Sequence, residues 1–320
     1  MEDTGQSSLA RTRKPKVLVL VFLISIFNLS ISAGRIEEKG YGAREQAQNP
    51  EDEKLFKKYG WTIVGKINSL ELILPSTFIH EAGEYPIKLY WAYNNELSKS
   101  IGLDFAPYLG EKVAVEKYAL SEPWPDSTRP DNKAYGVTMR AGLILVGAYI
   151  HSFRGYSLDC SLERKQFAEI TKKSWEEWID SYIDYDNEIE KRLSTMRPEE
   201  IISEYIKASD RHDRTLARAC VTRRHLMIFL QSNMGETSLY NEDVPEAETI
   251  KSIRLISMDE LEYLAKSNPP GTLEYEVKYY CAFTEHGKMF SEDGINYWFI
   301  QMKKETSRGG WRIVAIGTGP

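Results

Sequence analysis

The sequence predicts an α+β protein made of an N-terminal segment and two folded units. The chain of 320 residues is 42% hydrophobic and 28% charged, which is typical of globular proteins and leaves room for two ordinary domains. In the second half, helical patterns come first and the strand patterns of an antiparallel meander come last, the order of an α+β domain. An acidic, helix-forming stretch at residues 174–196 separates this half from an earlier strand-rich region.

Residues 1–34 have the order of a secretory signal peptide: a basic stretch, an apolar run at residues 17–27, and small residues up to Ala33. The apolar part is about 11 residues long, and extension to Ala33 gives about 17, the short limit for crossing a bilayer. An uncleaved N-terminal membrane anchor is therefore the alternative. Both interpretations predict export, to the outer face of the cytoplasmic membrane or into the medium. Polar residues 35–50 then form a linker.

Charge and cysteine content exclude some classes of protein. A net charge of −6 provides no basic face of the kind that binds nucleic acid, so no DNA or RNA partner is expected. Cys160, Cys220 and Cys281 are too few for the disulfide framework of a small exported domain. We expect three buried, inert thiols, with a Cys220–Cys281 disulfide as the alternative. The histidines show no metal spacing with each other or with a cysteine, and neither a metal nor a cofactor is expected.

The first unit is predicted at residues 51–173 and mixes helices with strands. One helix starting at residue 51 ends at Gly60, and another starting near residue 85 ends at Gly102, because glycine readily terminates helices. Apolar runs and alternation predict the strands. These strands are expected at residues 62–65, 70–75, 112–120 and 135–150, with a proline-rich loop at residues 121–133.

Three motifs of this unit carry a resemblance to a known family. They are "YGW" at residues 59–61, "LPSTF" at residues 74–78 and "YNNELSKSIGLDFAPYLGEKV" at residues 93–113. Over residues 51–156 the chain resembles an uncharacterised domain of Gram-positive envelope proteins, although "VGAYIHS" stands where that family often has a Gly-Gly-Asp-like turn. The resemblance implies a place in the cell envelope. It supplies no catalytic residues, because the family has no established activity.

Residues 174–196 are predicted to form a solvated, acidic, helical linker. The spacing of Asp184, Asp186 and Glu188 is that of a calcium loop. Such a loop requires glycine where Ile189 stands and a bidentate glutamate where Thr195 stands. We therefore expect a linker here and no metal site.

The second unit is predicted at residues 197–320, and we expect a fragment of residues 196–320 to fold by itself. Pro198 suits the first turn of a helix. The apolar stripe of this helix consists of Ile201, Ile202, Tyr205, Ile206 and Ala208. After the charged break "DRHD", the spacing of "RTLARACV" predicts a second helix. Strands are predicted at residues 273–284, 295–303 and 311–316, joined by hairpin loops.

This order of elements resembles the nuclear transport factor 2 superfamily. The resemblance is carried by "PEEIISEYIKASDRHDRTLARACV" at the front of the unit and "GGWRIVAIG" at its back. Over residues 198–319 the chain is similar to a branch of unassigned function found in Gram-positive exported proteins. The resemblance implies a cone-shaped domain with a curved antiparallel sheet, as in ketosteroid isomerase-like proteins. The superfamily includes isomerases and dehydratases with an Asp or His inside the cone, and many non-catalytic binders.

The alternation of residues along the predicted strands of the second unit favours a non-catalytic, ligand-binding domain. One face of the first strand pattern carries no acid and no histidine, and this face is predicted to line the interior. It consists of Leu273, Tyr275, Val277, Tyr279, Cys281 and Phe283. Proton abstraction needs an acid or a base in an apolar pocket. We therefore predict a non-catalytic module for binding, assembly or sensing, for an envelope protein or an apolar small molecule. Its expected binding residues are Tyr205, Tyr275, Tyr279 and Trp298.

Two further hypotheses concern the same unit. The alternative function is an enzyme of the isomerase or dehydratase type that uses the cone pocket. Its candidate catalytic residues are Glu204, His212 and Asp213, which lie on the first helix or in the helix break. A homodimer through the outer face of the sheet is also expected. Tyr280, Trp298 and Ile300 are predicted to supply its apolar surface.

Overall fold

A computed structural model describes residues 49–125, 133–152, 157–233, 249–262 and 269–318. The predicted signal or anchor segment lies outside these residues, as does the predicted linker up to residue 48. Helices combine with two antiparallel sheets of four strands each, so the α+β class is confirmed. No helix in this part of the chain has the length and apolarity needed to cross a membrane.

The first unit contains one sheet in the order β1-β2-β3-β4. Its elements are α1 (Pro50–Lys58), β1 (Ile63–Ile73), α2 (Ile87–Lys99), β2 (Lys112–Pro123), β3 (Lys133–Ala141) and β4 (Ile144–Ser152). Both predicted helices are confirmed, and α1 begins at Pro50, inside the predicted linker. Two strand predictions are wrong. Residues 63–65 and 70–73 of two predicted strands lie in the single strand β1, whereas residues 62, 74 and 75 lie outside it. The predicted strand 135–150 is a hairpin that turns at Gly142, where φ is +59°.

The sheet of the first unit separates two layers of core. On one face, Val115 of β2 and Tyr149 of β4 are buried against α2. On the other face, the ring of Phe56 in α1 lies edge-on to Tyr118 of β2, with centroids 6.1 Å apart. Because side chains alternate along a strand, odd-numbered positions of β2 face α2 and even-numbered positions face α1.

The stretch between the units is helical, but it is not a solvated linker. It contains α4 (Trp175–Ile179) and α5 (Glu188–Ser194), and it follows the short α3 (Phe167–Thr171). Trp178 and Ile179 are buried in the core beneath α2, and Leu193 is buried in the core of the second unit. The prediction of a solvated linker was wrong because it considered only the acidic residues. Glu177 and Glu188 are exposed, but the apolar residues on the opposite side of these helices are buried.

The second unit pairs its four strands in the order β5-β6-β7-β8. Its elements are α6 (Pro198–Asp210), α7 (Arg214–Ala219), α8 (Arg223–Asn233), β5 (Ile250–Glu260), β6 (Thr272–Phe283), β7 (Gly294–Lys304) and β8 (Trp311–Gly317). Both predicted helices and all three predicted strands are confirmed. The sequence patterns did not identify α8 or β5. Apolar residues of α6 and α7 pack on one face of the sheet, where the predicted inner positions of β6 are buried.

Trp298 and Ile300 lie on the inner face of this sheet, so their predicted place on an outer, dimer-forming face is wrong. Their side chains are 3% and 0% exposed. Trp298 is opposite Val277 and Ile300 is opposite Tyr275 in the β6–β7 register. Residues directly opposite each other in an antiparallel pair share a face, so the inner face of β6 determines that of β7.

The two units share a helix at their junction. Met227 and Leu230 of α8 are fully buried in the core of the first unit, whereas Leu226 belongs to the core of the second. One helix therefore contributes apolar surface to both units. A fragment of residues 196–320 would expose Met227 and Leu230, which argues against the expected independent folding.

Candidate functional site

A cleft opens where β6 ends and β7 begins; we call it the C-terminal cleft. Its volume is about 220 Å³. Its apolar and aromatic lining consists of Ile250, Tyr279, Phe283, Ile295, Tyr297 and Trp298. Its polar lining consists of Thr249, Ser291, Asn296 and Thr318. Among these described lining residues there is no carboxylate, histidine, lysine or arginine, so the cleft favours an uncharged, partly apolar group.

Two of the four predicted binding residues meet in the C-terminal cleft. The rings of Tyr279 and Trp298 have centroids 3.9 Å apart. Tyr205 is not among the lining residues, and its ring centroid is 6.5 Å from that of Trp298. Tyr275 is not part of the lining, and its hydroxyl donates to Glu199 Oε1 at 2.9 Å. Burial raises the pKa of both Tyr205 and Tyr279, so these hydroxyls stay protonated at neutral pH.

Exposed apolar side chains line this cleft and also precede one of its lining residues in the sequence. Met289 is 65% exposed and Phe290 is 50% exposed, and both precede Ser291 of the lining. Ile295 and Tyr297, which line the cleft, are 57% and 43% exposed. Clusters of exposed apolar residues mark interaction sites more often than single ones do.

The candidate catalytic residues do not line the C-terminal cleft. Glu204 is half-buried on α6 and is not among the lining residues. His212 is exposed at the helix break, where φ is +55°. Asp213 is the N-cap of α7 and accepts a hydrogen bond from the Leu216 N–H at 3.0 Å. Asp213 thus has a structural role that accounts for its place in the sequence.

The sequence analysis did not predict a second cluster of polar residues, which lines a small cavity on the α2 side of the first sheet. We call this space the Lys117 cavity. It has a volume of about 10 Å³, which is room for about one water molecule. Its polar lining consists of Asn68, Tyr90, Lys117, Tyr149 and His151. A signal was present, because Lys117 follows the buried Val113 and Val115 at alternate positions of a predicted strand and must therefore share their face.

Burial dominates the electrostatics of the Lys117 cavity. It lowers the pKa of Lys117 to about 8, and the charge of Asp159 opposes that shift. The Lys117 Nζ lies 4.3 Å from the centroid of the Tyr135 ring. Asp159 holds the neighbouring histidine, since its Oδ1 is 2.8 Å from His151 Nδ1. The result is a buried cation that is mostly charged at neutral pH but close to its titration point.

A buried ion network joins the two units at the shared helix. Arg223 of α8 donates to Glu190 of α5 at 2.7 Å and forms an ion pair with Glu305. Arg312 of β8 donates to the other oxygen of Glu190 at 2.8 Å. Arg223 Nε also donates to His80 Nδ1 of the first unit at 3.1 Å. Burial, and then the charge of Arg223, hold the pKa of His80 well below its usual value, which keeps the ring neutral.

Two of the three cysteines are buried and unreactive in this arrangement. All three are free thiols, so the alternative Cys220–Cys281 disulfide is not formed. Cys220 and Cys281 are buried as expected, whereas Cys160 is half-buried. Burial raises the pKa of Cys220 and Cys281 to about 12, which leaves them unreactive. Among the residues that the structure describes, no group of His, Cys, Asp and Glu side chains could hold a metal ion.

Comparison with known proteins matches each unit to a family without an assigned activity. Residues 55–150 match the family described as "Domain of unknown function (DUF4830)". Residues 199–317 match the family described as "Domain of unknown function (DUF4829)". No curated protein matches the chain, and no solved structure matches it. The matches indicate a two-domain protein of unknown function.

Proposed function

We propose that this chain is a non-catalytic, extracytoplasmic protein of the cell envelope whose C-terminal cleft receives an apolar side chain of a partner protein. The observation that carries the proposal is the exposed apolar surface of Ile295 and Tyr297 in an uncharged cleft. The exposed Met289 and Phe290, which directly precede the lining residue Ser291 in the sequence, add to this apolar surface. The cleft volume of about 220 Å³ is below the range of about 300–1,000 Å³ found for drug-sized ligands. Protein interfaces are commonly anchored by one aromatic or aliphatic side chain in a pocket of this kind.

The arrangement of the second unit supports its assignment to the nuclear transport factor 2-like superfamily. Two helices lead, and they cover one face of a four-stranded antiparallel sheet whose last strand follows "GG". This is the order that the resemblance implies. The same proposal includes the Gram-positive origin that both sequence resemblances imply.

A location at the outer face of the cytoplasmic membrane is supported by the apolar run at residues 17–27 and by one end of the first sheet. At that end Leu143, in the β3–β4 turn, and Ile144, the first residue of β4, are 95% and 59% exposed. Helix α1 begins at the same end, because its residue Asp52 forms an ion pair with Arg140 near the end of β3. A chain entering from a membrane anchor would thus bring an apolar turn towards the bilayer.

The isomerase or dehydratase alternative needs a proton acceptor inside the cleft. The described lining residues offer only tyrosine hydroxyls as ionisable groups, and burial keeps Tyr279 protonated. Glu204, His212 and Asp213 are not among the lining residues. Binding is therefore the function that the cleft supports best.

In-cell photo-crosslinking tests this proposal. A photoreactive amino acid at Tyr297 of the full chain should give one discrete adduct, and the added substitution Ile295→Asp should abolish it. The control position is Glu169, which is exposed on the first unit. An adduct of twice the chain mass would identify a second copy as the occupant. If Tyr297 gives no adduct beyond the Glu169 background, or if Ile295→Asp leaves it unchanged, the proposal fails.

A further inference from the structure

One end of the first sheet carries a cluster of exposed apolar side chains; we call it the apolar end. Leu143 is 95% exposed, Ile73 is 70% exposed and Ile144 is 59% exposed. Ile73 is the last residue of β1, Ile144 is the first residue of β4, and Leu143 lies in the turn just before it. Exposed apolar residues that cluster mark contact surfaces, whereas single ones need no explanation.

The register of the sheet brings these three residues to the same end. Ile73 is opposite Lys112, the residue at which β2 begins. Two residues further along β2, Ala114 is opposite Arg140, which is next to the last residue of β3. The end of β1, the start of β2 and the β3–β4 turn therefore lie side by side, and the apolar end spans all four strands.

Leu143 is an unusual residue for its position. Tight turns are commonly built from Gly, Asn, Asp, Ser and Pro, each for a conformational reason. Gly142 supplies the left-handed conformation of this turn, with φ at +59°. Leu143 supplies no special conformation, and at 95% exposure it adds almost nothing to the core. Its apolar side chain is thus available for a contact outside the unit.

The basic groups at this end have partners within the chain. Lys112 forms an ion pair with Glu71, and Arg140 forms one with Asp52. Neither side chain therefore offers a cation without a carboxylate partner to an anionic surface. The contact that the apolar end favours is apolar and not electrostatic.

The path of the chain favours a lipid bilayer as the partner. Helix α1 begins at Pro50, and its Asp52 contacts Arg140, so the preceding chain joins the first unit at the apolar end. Residues 28–48 separate this helix from the apolar run at residues 17–27. A chain of about 21 residues reaches at most about 75 Å. A tether of limited length keeps a weakly binding surface at a high effective concentration, so a few apolar side chains suffice for docking.

We propose that the apolar end docks onto the lipid bilayer, with Leu143, Ile144 and Ile73 inserted at the boundary between the headgroups and the acyl chains. This inference rests on the proposed location at the membrane and adds the residues that touch the lipid. Apolar side chains gain free energy when they leave water for this boundary. Because the basic groups beside them are paired, docking should occur on neutral lipid and should not require anionic headgroups.

Photolabelling from the acyl chains tests the proposal. The full chain is reconstituted in vesicles of neutral phosphatidylcholine that contain a phospholipid with a diazirine on its acyl chain, and labelled peptides are mapped by mass spectrometry. Label is expected at residues 17–27 and at the apolar end, on residues 142–144 and on Ile73. Val64 is 61% exposed at the opposite end of β1, so it is the matched internal control and should stay unlabelled.

Two variants make the test specific. Leu143→Asn removes the most exposed apolar side chain and introduces a residue that tight turns favour. It should lower the label on residues 142–144 at least about tenfold relative to residues 17–27, because burial of one leucine side chain contributes a factor of this size. Val64→Asn should leave the label on residues 142–144 unchanged. Exchange of part of the neutral lipid for anionic lipid should also leave it unchanged.

The outcomes separate this inference from the proposed location. Label at residues 17–27 without label at the apolar end overturns the inference and leaves the membrane location intact, whereas label at neither overturns both. Label at the apolar end that requires anionic lipid, or that is equal in Leu143→Asn, also contradicts the inference. Label that disappears as the ratio of protein to lipid rises would identify a second copy of the chain as the occupant and would likewise overturn it.

Discussion

The two units use similar sheets in opposite ways. In the first unit, charged groups lie inside: Asp52 is buried against Arg140 on one face of the sheet, and Lys117 is buried on the other. In the second unit, the inner face is apolar and aromatic, and it ends in an open cleft. The charged residues of the first unit meet partners or a small polar cavity, whereas the cleft of the second unit leaves apolar side chains exposed. The difference shows that burial of charge stabilises one unit, whereas the other leaves apolar surface open to solvent.

The junction should be the most sensitive part of the molecule. Arg223→Met removes the cation between Glu190 and Glu305, which are 0% and 4% exposed, and leaves two buried carboxylates without it. We expect a loss of about 3–5 kcal/mol in the free energy of unfolding, measured by urea denaturation. Arg308→Met, which removes an ion pair between Asp180 and a solvent-exposed Arg308, is the control and should leave the free energy of unfolding nearly unchanged. Similar small losses for both variants would show that the units are not held together by this network.

The next prediction separates packing from binding within the cleft. Trp298→Ala should lower the free energy of unfolding by about 3 kcal/mol or more, because it empties a buried position. Ile295→Asp should change stability by about 0.5 kcal/mol or less, because Ile295 is 57% exposed, yet it should abolish the crosslink at Tyr297. Thermal unfolding and crosslinking of the same samples measure both effects. A stable Trp298→Ala protein would mean that this side chain belongs to a binding surface and not to the core.

Buried histidines should make the chain sensitive to acid. Burial lowers the pKa of His80 and of His225, so the unfolded chain binds protons below about pH 6.5 that the native chain does not. Stability should therefore be complete above that pH and fall as pH decreases, by up to about 1.4 kcal/mol per pH unit for each histidine. His80→Gln should reduce this slope relative to the unsubstituted chain. An unchanged slope in His80→Gln would contradict a neutral His80.

The smallest expected effect tests a catalytic candidate. Asp213→Ala removes the N-cap of α7 and should cost about 1 kcal/mol, whereas Asp213→Asn or Asp213→Ser should restore most of it. Chemical denaturation of the three variants provides the measurement. A catalytic carboxylate cannot be replaced by Asn or Ser without loss of activity. If Asp213→Asn folds stably but loses the function of the protein, the enzyme hypothesis would be supported instead.

The sequence alone determined the elements whose signals are local. Gly60 and Gly102 end their helices as expected, and the alternation from Tyr275 to Phe283 identified the buried face of β6. Capping, glycine conformation and strand alternation depend on neighbouring residues, so they can be read along the chain. Tyr279 lies on that buried face, and it also lines the cleft.

Only the tertiary structure decided which faces meet and which charges find partners. The inward position of Trp298 follows from its register against Val277, which no pattern within β7 specifies. The acidic stretch before Pro198 is buried on one side because Trp178 packs in the core of the first unit and Leu193 packs in the core of the second. Charged residues are usually exposed, so the sequence gives no reason to expect burial of Lys117, Glu190 and Arg223, yet all three are buried. A buried charge is stable only beside groups that lie far away along the chain, so its position is fixed by long-range contacts that the sequence by itself does not reveal.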